Sequence, residues 1–192
     1  MNQNLGKLTE EQKKTLLDLA RLSIKKAVHN EMPLRINPAD YPAPLNEMGA
    51  SFVTLTIRGN LRGCIGALEP YQSLVEDVYE HASAAALHDY RFSPLKPQEL
   101  DLIHIEISRL TLPEILDYQK PDDLPALLKP GEDGVIIRDG LRRATFLPQV
   151  WVQIPTPESF LTQLCQKMNA PGNLWRQKVL RVEIYHVEEF EE

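Results

Sequence analysis

The strongest constraint on the fold is a run of β-branched and aromatic residues that leads into a short glycine-containing turn. Residues 52–58 read Phe-Val-Thr-Leu-Thr-Ile-Arg, Gly59-Asn60 follows, and residues 61–66 read Leu-Arg-Gly-Cys-Ile-Gly. β-branched and aromatic residues are typical of strands. Glycine followed by asparagine between two such runs predicts a two-residue loop of type II′. The sequence therefore predicts an antiparallel β-hairpin here.

The position of this loop determines which residues lie opposite each other in the hairpin. With Gly59-Asn60 as the loop, Leu55 is expected opposite Cys64 and Val53 opposite Gly66. Opposed residues share a face of the sheet. Cys64 is therefore expected on the apolar face of the hairpin, beside Leu55.

The rest of the chain predicts helices and further short strands. Thr9-Glu10-Glu11-Gln12 has the form of a capping box, which predicts a helix that ends near His29. A series of mixed elements follows, which is typical of an α+β protein with antiparallel or mixed sheets and flanking helices. The later elements are a helix after Gln72 that ends near His88, a strand at 101–110, a short helix at 124–128, a hairpin with a type I′ turn at Asp139-Gly140, a turn at Pro148, a helix opened by Thr156-Pro157, and a strand at 179–187 before an acidic tail.

A proline-rich segment, residues 30–49, separates the first helix from the hairpin. It contains Pro33, Pro38, Pro42 and Pro44, which exclude regular structure because proline fixes φ and lacks an N–H donor. Structureless loops of this length are uncommon in compact domains. Two interpretations stay open, a lid over a site and a meandering surface crossing.

Composition and charge exclude several functional classes. Apolar residues make up 43% and charged residues 25% of the chain, which is ordinary for a globular protein. The net charge of -6 argues against nucleic-acid binding, although clustered arginines could still bind a small anion. No stretch approaches the roughly 20 apolar residues of a spanning helix, and a cytoplasmic location is expected. Two cysteines without a CxxC pattern favour neither a disulfide scaffold nor a zinc site, and no cofactor is predicted.

Cys64 is the candidate nucleophile of the hairpin. Arg62 nearby could favour the thiolate, and Gly63 and Gly66 could let a substrate approach the backbone. The alternative is a packed core thiol, because free cysteine is among the most buried residue types. The sequence leaves both interpretations open, and with them the question whether the protein is an enzyme.

Two further groups of polar residues have competing interpretations. Asp89 and Arg91 follow the second helix, where they could brace a turn as a carboxylate–guanidinium pair or contact an anion. Asp77, His81 and His88 lie on one side of that helix, but their spacing does not match a two-histidine metal motif. A solvated or partly packed helix face is the preferred interpretation of this second group, and no metal site is predicted.

At residues 61–66 the chain resembles the AMMECR domain family, also called AmmeMemoRadiSam system protein A. Segments 52–55, 89–92, 134–137 and 144–150 agree with the family in the same order. The resemblance implies an α+β fold with a larger part built from both chain ends and a smaller part between them. We expect one domain over 1–192, with a helix and proline-rich loop at 1–48 and the core at 49–192. The family has no established chemistry, and its bacterial and archaeal members are associated with a Memo-type protein and a radical-SAM protein.

These observations predict a binding or accessory module that acts with Memo-like and radical-SAM partners. The alternative is an enzyme that uses Cys64 or acts on a small anionic substrate. Cys64 is the candidate catalytic residue. The candidate binding residues are Arg62, Gly63, Gly66, Asp89, Arg91, Pro148 and Gln149.

Overall fold

The computed structural model describes residues 7–192, which form two compact units. The first unit runs up to Thr111 and takes in Glu188–Glu192 at the other end of the chain. The second unit is Leu112–Val187. The α+β class is confirmed, as is the expectation of a larger part that contains both chain ends and a smaller part between them.

The elements alternate between helices and short strands along the chain. The α-helices are α1 (Glu10–Val28), α2 (Leu74–Leu87), α3 (Leu124–Leu127), α4 (Pro157–Lys167) and α5 (Leu174–Gln177). The strands are β1 (Met48–Ile57), β2 (Asn60–Gly66), β3 (Gln72–Ser73), β4 (Ile103–Leu110), β5 (Glu114–Ile115), β6 (Gly134–Asp139), β7 (Arg142–Phe146), β8 (Arg181–Tyr185) and β9 (Val187–Glu191). Short 3-10 helices lie at Pro38–Asp40, Pro97–Glu99, Pro121–Asp123 and Pro148–Val152.

The first unit packs α1 and α2 against one face of a sheet with the order β2-β1-β4-β9, and β3 pairs with the start of β1. The predicted capping box begins α1, since the Gln12 N–H donates to the Thr9 hydroxyl and the Thr9 N–H donates to the Gln12 side chain. The core joins both helices to alternate residues of β1 and β4, such as Val53 and Ile105, which are fully buried. We call this face of the sheet the inner face and the opposite one the outer face.

The first hairpin forms where it was predicted, but its loop is shifted by one residue. Ile57 pairs with Asn60, so Arg58 and Gly59 are the loop residues, with φ of 53° and 77°. Two positive φ values define a type I′ turn, so the predicted type II′ loop at Gly59-Asn60 is wrong. The Asn60 side-chain amide donates to the Arg58 carbonyl at 3.3 Å, which supports the turn from within β2.

The second unit packs α4 against one face of a sheet with the order β5-β8-β6-β7. Phe160 of α4 is fully buried and stacks on Trp151 with ring centroids 3.7 Å apart. The hairpin of β6 and β7 also differs from the prediction by one residue, because Asp139 pairs with Arg142 and leaves Gly140 and Leu141 as the loop. Only Gly140 has a positive φ, 60°, as in a type II′ turn, so the predicted type I′ turn at Asp139-Gly140 is wrong.

The acidic end of the chain is a strand rather than a tail. β9 lies at the edge of the first unit's sheet, beside β4. Phe190 supplies the apolar contact, since only 9% of it is exposed and it packs into the first unit's core. Among residues 7–192, no helix is long and apolar enough to cross a membrane.

Candidate functional site

The register of β1 with β2 places Cys64 opposite Thr54 and Gly63 opposite Leu55. The pairing shifts between Leu55 and Thr56, where Arg62 is the extra residue of a β-bulge. The shifted loop and the bulge together change the register by one residue from Cys64 onward. The expectation that Cys64 faces Leu55 on the apolar side is therefore wrong.

Cys64 lies instead on the outer face, half-buried, in a row of three polar side chains. The Thr54 hydroxyl donates to Cys64 Sγ at 3.4 Å, and Glu106 of β4 lies opposite Thr54. Burial raises the pKa of Glu106 above its usual value, and the carboxylates of Glu189 and Glu191 add to this effect. Thr54 and Glu106 were not predicted because the register that brings them beside Cys64 depends on the bulge.

The two glycines of β2 are places where the chain approaches itself closely. A Cβ at Gly63 would lie 2.1 Å from the carbonyl oxygen of Ala85, so α2 packs directly on the inner face of β2. A Cβ at Gly66 would lie 2.3 Å from the carbonyl oxygen of Ser51. Neither contact leaves room for a side chain, because real Cβ atoms do not approach oxygen this closely.

Asp89 and Arg91 hold the backbone of Cys64 on the free edge of β2. The Cys64 N–H donates to Asp89 Oδ2 at 2.8 Å, and Arg91 Nη2 donates to the Cys64 carbonyl at 3.3 Å. β2 is an edge strand whose sheet neighbour is β1. The side-chain pair thus takes the place that the backbone of a neighbouring strand would have, which protects an otherwise unpaired edge.

The pair is itself a two-point ionic contact. Arg91 Nε donates to Asp89 Oδ1 at 2.9 Å and Arg91 Nη2 donates to Oδ2 at 2.7 Å. These hydrogen bonds from Arg91 are the main reason that the pKa of Asp89 lies well below its usual range, and the N–H groups of Cys64 and Arg91 add to the effect. Asp89, which is 3% exposed, is therefore a buried carboxylate with its charge matched.

Arg62 makes a similar contact with Glu99. Its Nε donates to Oε1 at 2.8 Å and its Nη2 donates to Oε2 at 3.1 Å, while Nη1 donates to the Ser93 carbonyl at 2.9 Å. The Arg62 guanidinium holds the pKa of Glu99 below its usual value. Both arginines among the candidate binding residues are thus paired with carboxylates of the first unit.

Six of the predicted residues lie in the first unit, on β2 or in the loop after α2. Pro148 and Gln149 belong to the second unit. Pro148 is buried at the start of its 3-10 helix and Gln149 is exposed. The six residues of the first unit are Arg62, Gly63, Cys64, Gly66, Asp89 and Arg91.

A second polar cluster of the first unit contains Asp77 and His81, which were expected on a solvated or partly packed helix face and are both buried. Asp77 Oδ2 accepts from the Ser51 hydroxyl at 2.6 Å and lies 3.2 Å from His81 Nδ1. His81 Nε2 lies 3.3 Å from the Tyr71 hydroxyl. The i,i+4 spacing of Asp77 and His81 signals their contact, but Ser51 and Tyr71 join only through the fold.

A groove of about 890 Å³ lies beside α2. One wall is residues 33–38 of the proline-rich loop, where the Leu34 N–H donates to the Tyr79 hydroxyl at 2.7 Å. The loop thus lines a cavity, but none of the predicted site residues does. Among residues 7–192 there is no group of three His, Cys, Asp or Glu side chains that could hold a metal ion.

The chain is thus an α+β protein of two compact units, and the first unit carries the edge strand β2 held by Asp89 and Arg91. The AMMECR1 family profile matches residues 17–190, which begins well before the segment on which the sequence resemblance rested. The chain belongs to the AMMECR1 family.

Similar proteins support the same assignment. A protein of Methanothermobacter thermautotrophicus is 38% identical over 186 residues, which cover 96% of each chain. A protein of Thermofilum pendens is 37% identical over 199 residues, with 98% of this chain and 93% of the other covered. The crystal structure of the uncharacterized protein PH0010 from Pyrococcus horikoshii has a TM-score of 0.79 and 34% identity, with 96% of this chain and 93% of the other covered.

Proposed function

We propose that this chain is a binding or accessory module that acts with a Memo-like protein and a radical-SAM protein. The proposed contact surface is the edge of β2 with the loop that holds it, made by Leu61, Cys64, Tyr90 and Arg91. We call this set the β2 surface.

The observation that carries the proposal is the fixation of Cys64 by Asp89 and Arg91. Both backbone groups of Cys64 on the free edge are bonded, so the strand is held in place before any partner arrives. Tyr90 is 94% exposed and Leu61 is 43% exposed beside this fixed strand. Rigid, partly apolar surfaces with tyrosine and arginine are typical of protein interfaces.

The internal pairing of the arginines favours a protein partner over a small anion. Arg62 already binds Glu99 and Arg91 already binds Asp89, each through two hydrogen bonds. An anion that binds either arginine would have to displace the carboxylate that already accepts two hydrogen bonds from it. A partner surface can instead contact the exposed side chains without breaking either pair.

The test is affinity capture from the native cell with the full chain as bait and identification of bound proteins by mass spectrometry. We expect the Memo-like and radical-SAM proteins with the wild type and a loss of about tenfold or more with Leu61→Asp, since charge at an interface centre costs at least ~1.4 kcal/mol. Met32→Asp is the matched control, because Met32 is 86% exposed and lies on the loop after α1. Absence of both partners with the wild type, or equal loss with both variants, contradicts the proposal.

The contact between Thr54 and Cys64 favours a Cys64-dependent enzyme as the second candidate. A half-buried thiol that accepts a hydrogen bond from a hydroxyl is held in a fixed position from which it can act as a nucleophile. Cys165 provides an internal reference, because it is fully buried and burial raises the pKa of its thiol.

The alkylation rates of the two thiols test this second candidate. A thiolate nucleophile at Cys64 should react with iodoacetamide at least about 100-fold faster than Cys165 in the folded protein, as reactive thiolates do relative to inert thiols. If Cys64 reacts no faster than Cys165, the thiolate version is wrong.

A further inference from the structure

The side chains of Asp77, His81 and Tyr71 form a hydrogen-bonded series with the geometry of an orienting carboxylate, a base and a nucleophile. His81 Nδ1 lies 3.2 Å from Asp77 Oδ2, and His81 Nε2 lies 3.3 Å from the Tyr71 hydroxyl. A nucleophile in hydrogen-bond reach of a base, with the base held by a third group, is the arrangement of acyl-transfer sites, and the distances are often somewhat long without substrate.

Asp77, at the buried end of this series, determines which nitrogen of His81 carries the proton. The Asp77 side chain is 0% exposed and its Oδ2 accepts from the Ser51 hydroxyl at 2.6 Å, so Oδ2 is held as an acceptor for His81 Nδ1–H. Nε2 is then the atom that can take a proton from Tyr71. Asp77 Oδ1 is buried and has no hydrogen-bond partner in the described part of the chain, which is uncommon and is found at functional sites.

Tyr71, at the outer end of this series, is the exposed member. Tyr71 is 54% exposed, whereas His81 is 6% exposed. Much of Tyr71 is therefore open to solvent, while the base stays shielded from water. The surroundings also select the substrate by charge, because the carboxylates of Glu80 and Asp77 lie near the phenol. These carboxylates disfavour phosphoryl groups and other anions and leave neutral esters as the suitable class.

We infer that Tyr71 is a nucleophile for acyl transfer from neutral activated esters, with His81 as general base and Asp77 as the residue that positions His81. The Tyr71 oxygen forms a bond to the ester carbonyl carbon while its proton passes to His81 Nε2. The bond from that carbon to the leaving oxygen breaks, and the leaving group takes the proton from His81. Water then attacks the acyl-tyrosine, His81 accepts the water proton and returns it to the Tyr71 oxygen, and a carboxylic acid is released.

This site is separate from the β2 surface and requires neither Cys64 nor a partner protein. It gives the chain an activity of its own, and the failure of one proposal leaves the other intact.

The test is the rate of acetylation of individual tyrosines by p-nitrophenyl acetate, measured on the full chain by peptide mass spectrometry. Tyr90 is the internal reference, because it is 94% exposed. Burial and the nearby Glu80 and Asp77 carboxylates raise the pKa of Tyr71 to about 12, so without a base Tyr71 must react more slowly than Tyr90. With His81 as base, Tyr71 should react about 100-fold faster than Tyr90, the usual size of general-base assistance.

Two further measurements separate base catalysis from packing. The Tyr71 rate should rise by less than tenfold per pH unit when His81 removes the proton, whereas a reaction through the free phenolate rises tenfold per pH unit up to the pKa of the phenol, about 12. His81→Gln, checked for cooperative unfolding, should bring the Tyr71 rate below that of Tyr90 and leave the Tyr90 rate unchanged. A wild-type Tyr71 that reacts no faster than Tyr90, or whose rate follows the phenolate, overturns the inference even if the variant does not fold.

Discussion

Asp89 and Asp77 are both buried carboxylates of the first unit, at 3% and 0% exposure, yet their surroundings differ. Asp89 accepts from four N–H groups, one from Cys64 and three from Arg91. Asp77 Oδ2 contacts Ser51 and His81, while Oδ1 has no partner within residues 7–192.

The difference separates a structural role from a chemical one. A carboxylate whose acceptors are all used holds a strand edge in place and has no capacity left for a ligand. A carboxylate with an unused oxygen and a titratable neighbour costs stability, which natural proteins usually tolerate only where the group has a function. We therefore expect the two residues to respond differently to the same substitutions.

The largest effect should come from the close contact between β2 and α2 at Gly63, because Asp89 can bond β2 only where this contact keeps the strand in place. Gly63→Ala places a Cβ 2.1 Å from the Ala85 carbonyl oxygen and forces α2 away, which should lower the free energy of unfolding by about 3 kcal/mol. Urea denaturation measures it. Gly131→Ala is the control, because its Cβ meets no atom within 4 Å and only its φ of 86° is unfavourable. Equal losses at both glycines would show that close packing of β2 on α2 does not matter.

The next effect compares the two carboxylates directly. Asp89→Asn puts an amide N–H where Cys64 or Arg91 donates, and should cost about 2 kcal/mol because a buried donor loses its acceptor. Asp77→Asn should cost about 1 kcal/mol or less, since one oxygen of Asp77 is already unused. Chemical denaturation of both variants gives the comparison, and a larger loss at Asp77 would reverse the assignment of roles.

The pH dependence of stability should follow Asp89. Its pKa is lower in the folded protein than in the unfolded chain, so its stabilisation is complete above the unfolded value of about 3.9 and is lost as the pH falls through the folded value. The difference in stability between wild type and Asp89→Asn should therefore be constant near neutral pH and shrink below pH about 4. Acid titration of both proteins at fixed urea measures it, and a difference that grows on acidification has the wrong sign.

The smallest effect compares two hydroxyl donors on β1. Ser51 donates to buried Asp77 and Thr54 donates to Cys64 Sγ. Ser51→Ala should cost about 1 kcal/mol because the acceptor is a buried carboxylate, whereas Thr54→Val should change stability by less than about 0.5 kcal/mol because sulfur is a weak acceptor. Thermal unfolding of the two variants distinguishes them, and the reverse order would contradict the difference between the faces.

Local signals in the sequence predicted most of the elements. The Thr9 capping box and the Thr156-Pro157 opening each began a helix, and alternation along 101–110 gave a strand with its isoleucines buried. Both hairpins were found, but each loop was wrong by one residue, because sequence pairs such as Gly59-Asn60 fit more than one turn type. The acidic composition of residues 188–192 hid β9, whose pairing is long-range.

The candidate site was harder to predict than the fold. The bulge at Arg62 depends on how β2 meets β1 and α2, and it reverses the face on which Cys64 lies. Asp89 and Arg91 were foreseen as a brace or an anion contact, but their hold on the Cys64 backbone joins segments 25 and 27 residues apart. Tyr71 and Ser51 join Asp77 and His81 only after β1, β3 and α2 are assembled.

A side-chain pair, rather than a neighbouring strand, holds the edge of β2 at Cys64. Hydrogen exchange of the Cys64 amide tests it most directly, because an edge-strand N–H without a partner exchanges rapidly. This amide should be protected in the wild type, and Asp89→Asn should speed its exchange by at least about tenfold more than that of Ile105, the equivalent of ~1.4 kcal/mol of local stability. Rapid exchange of the Cys64 amide in the wild type, or equal acceleration at both amides, would contradict it.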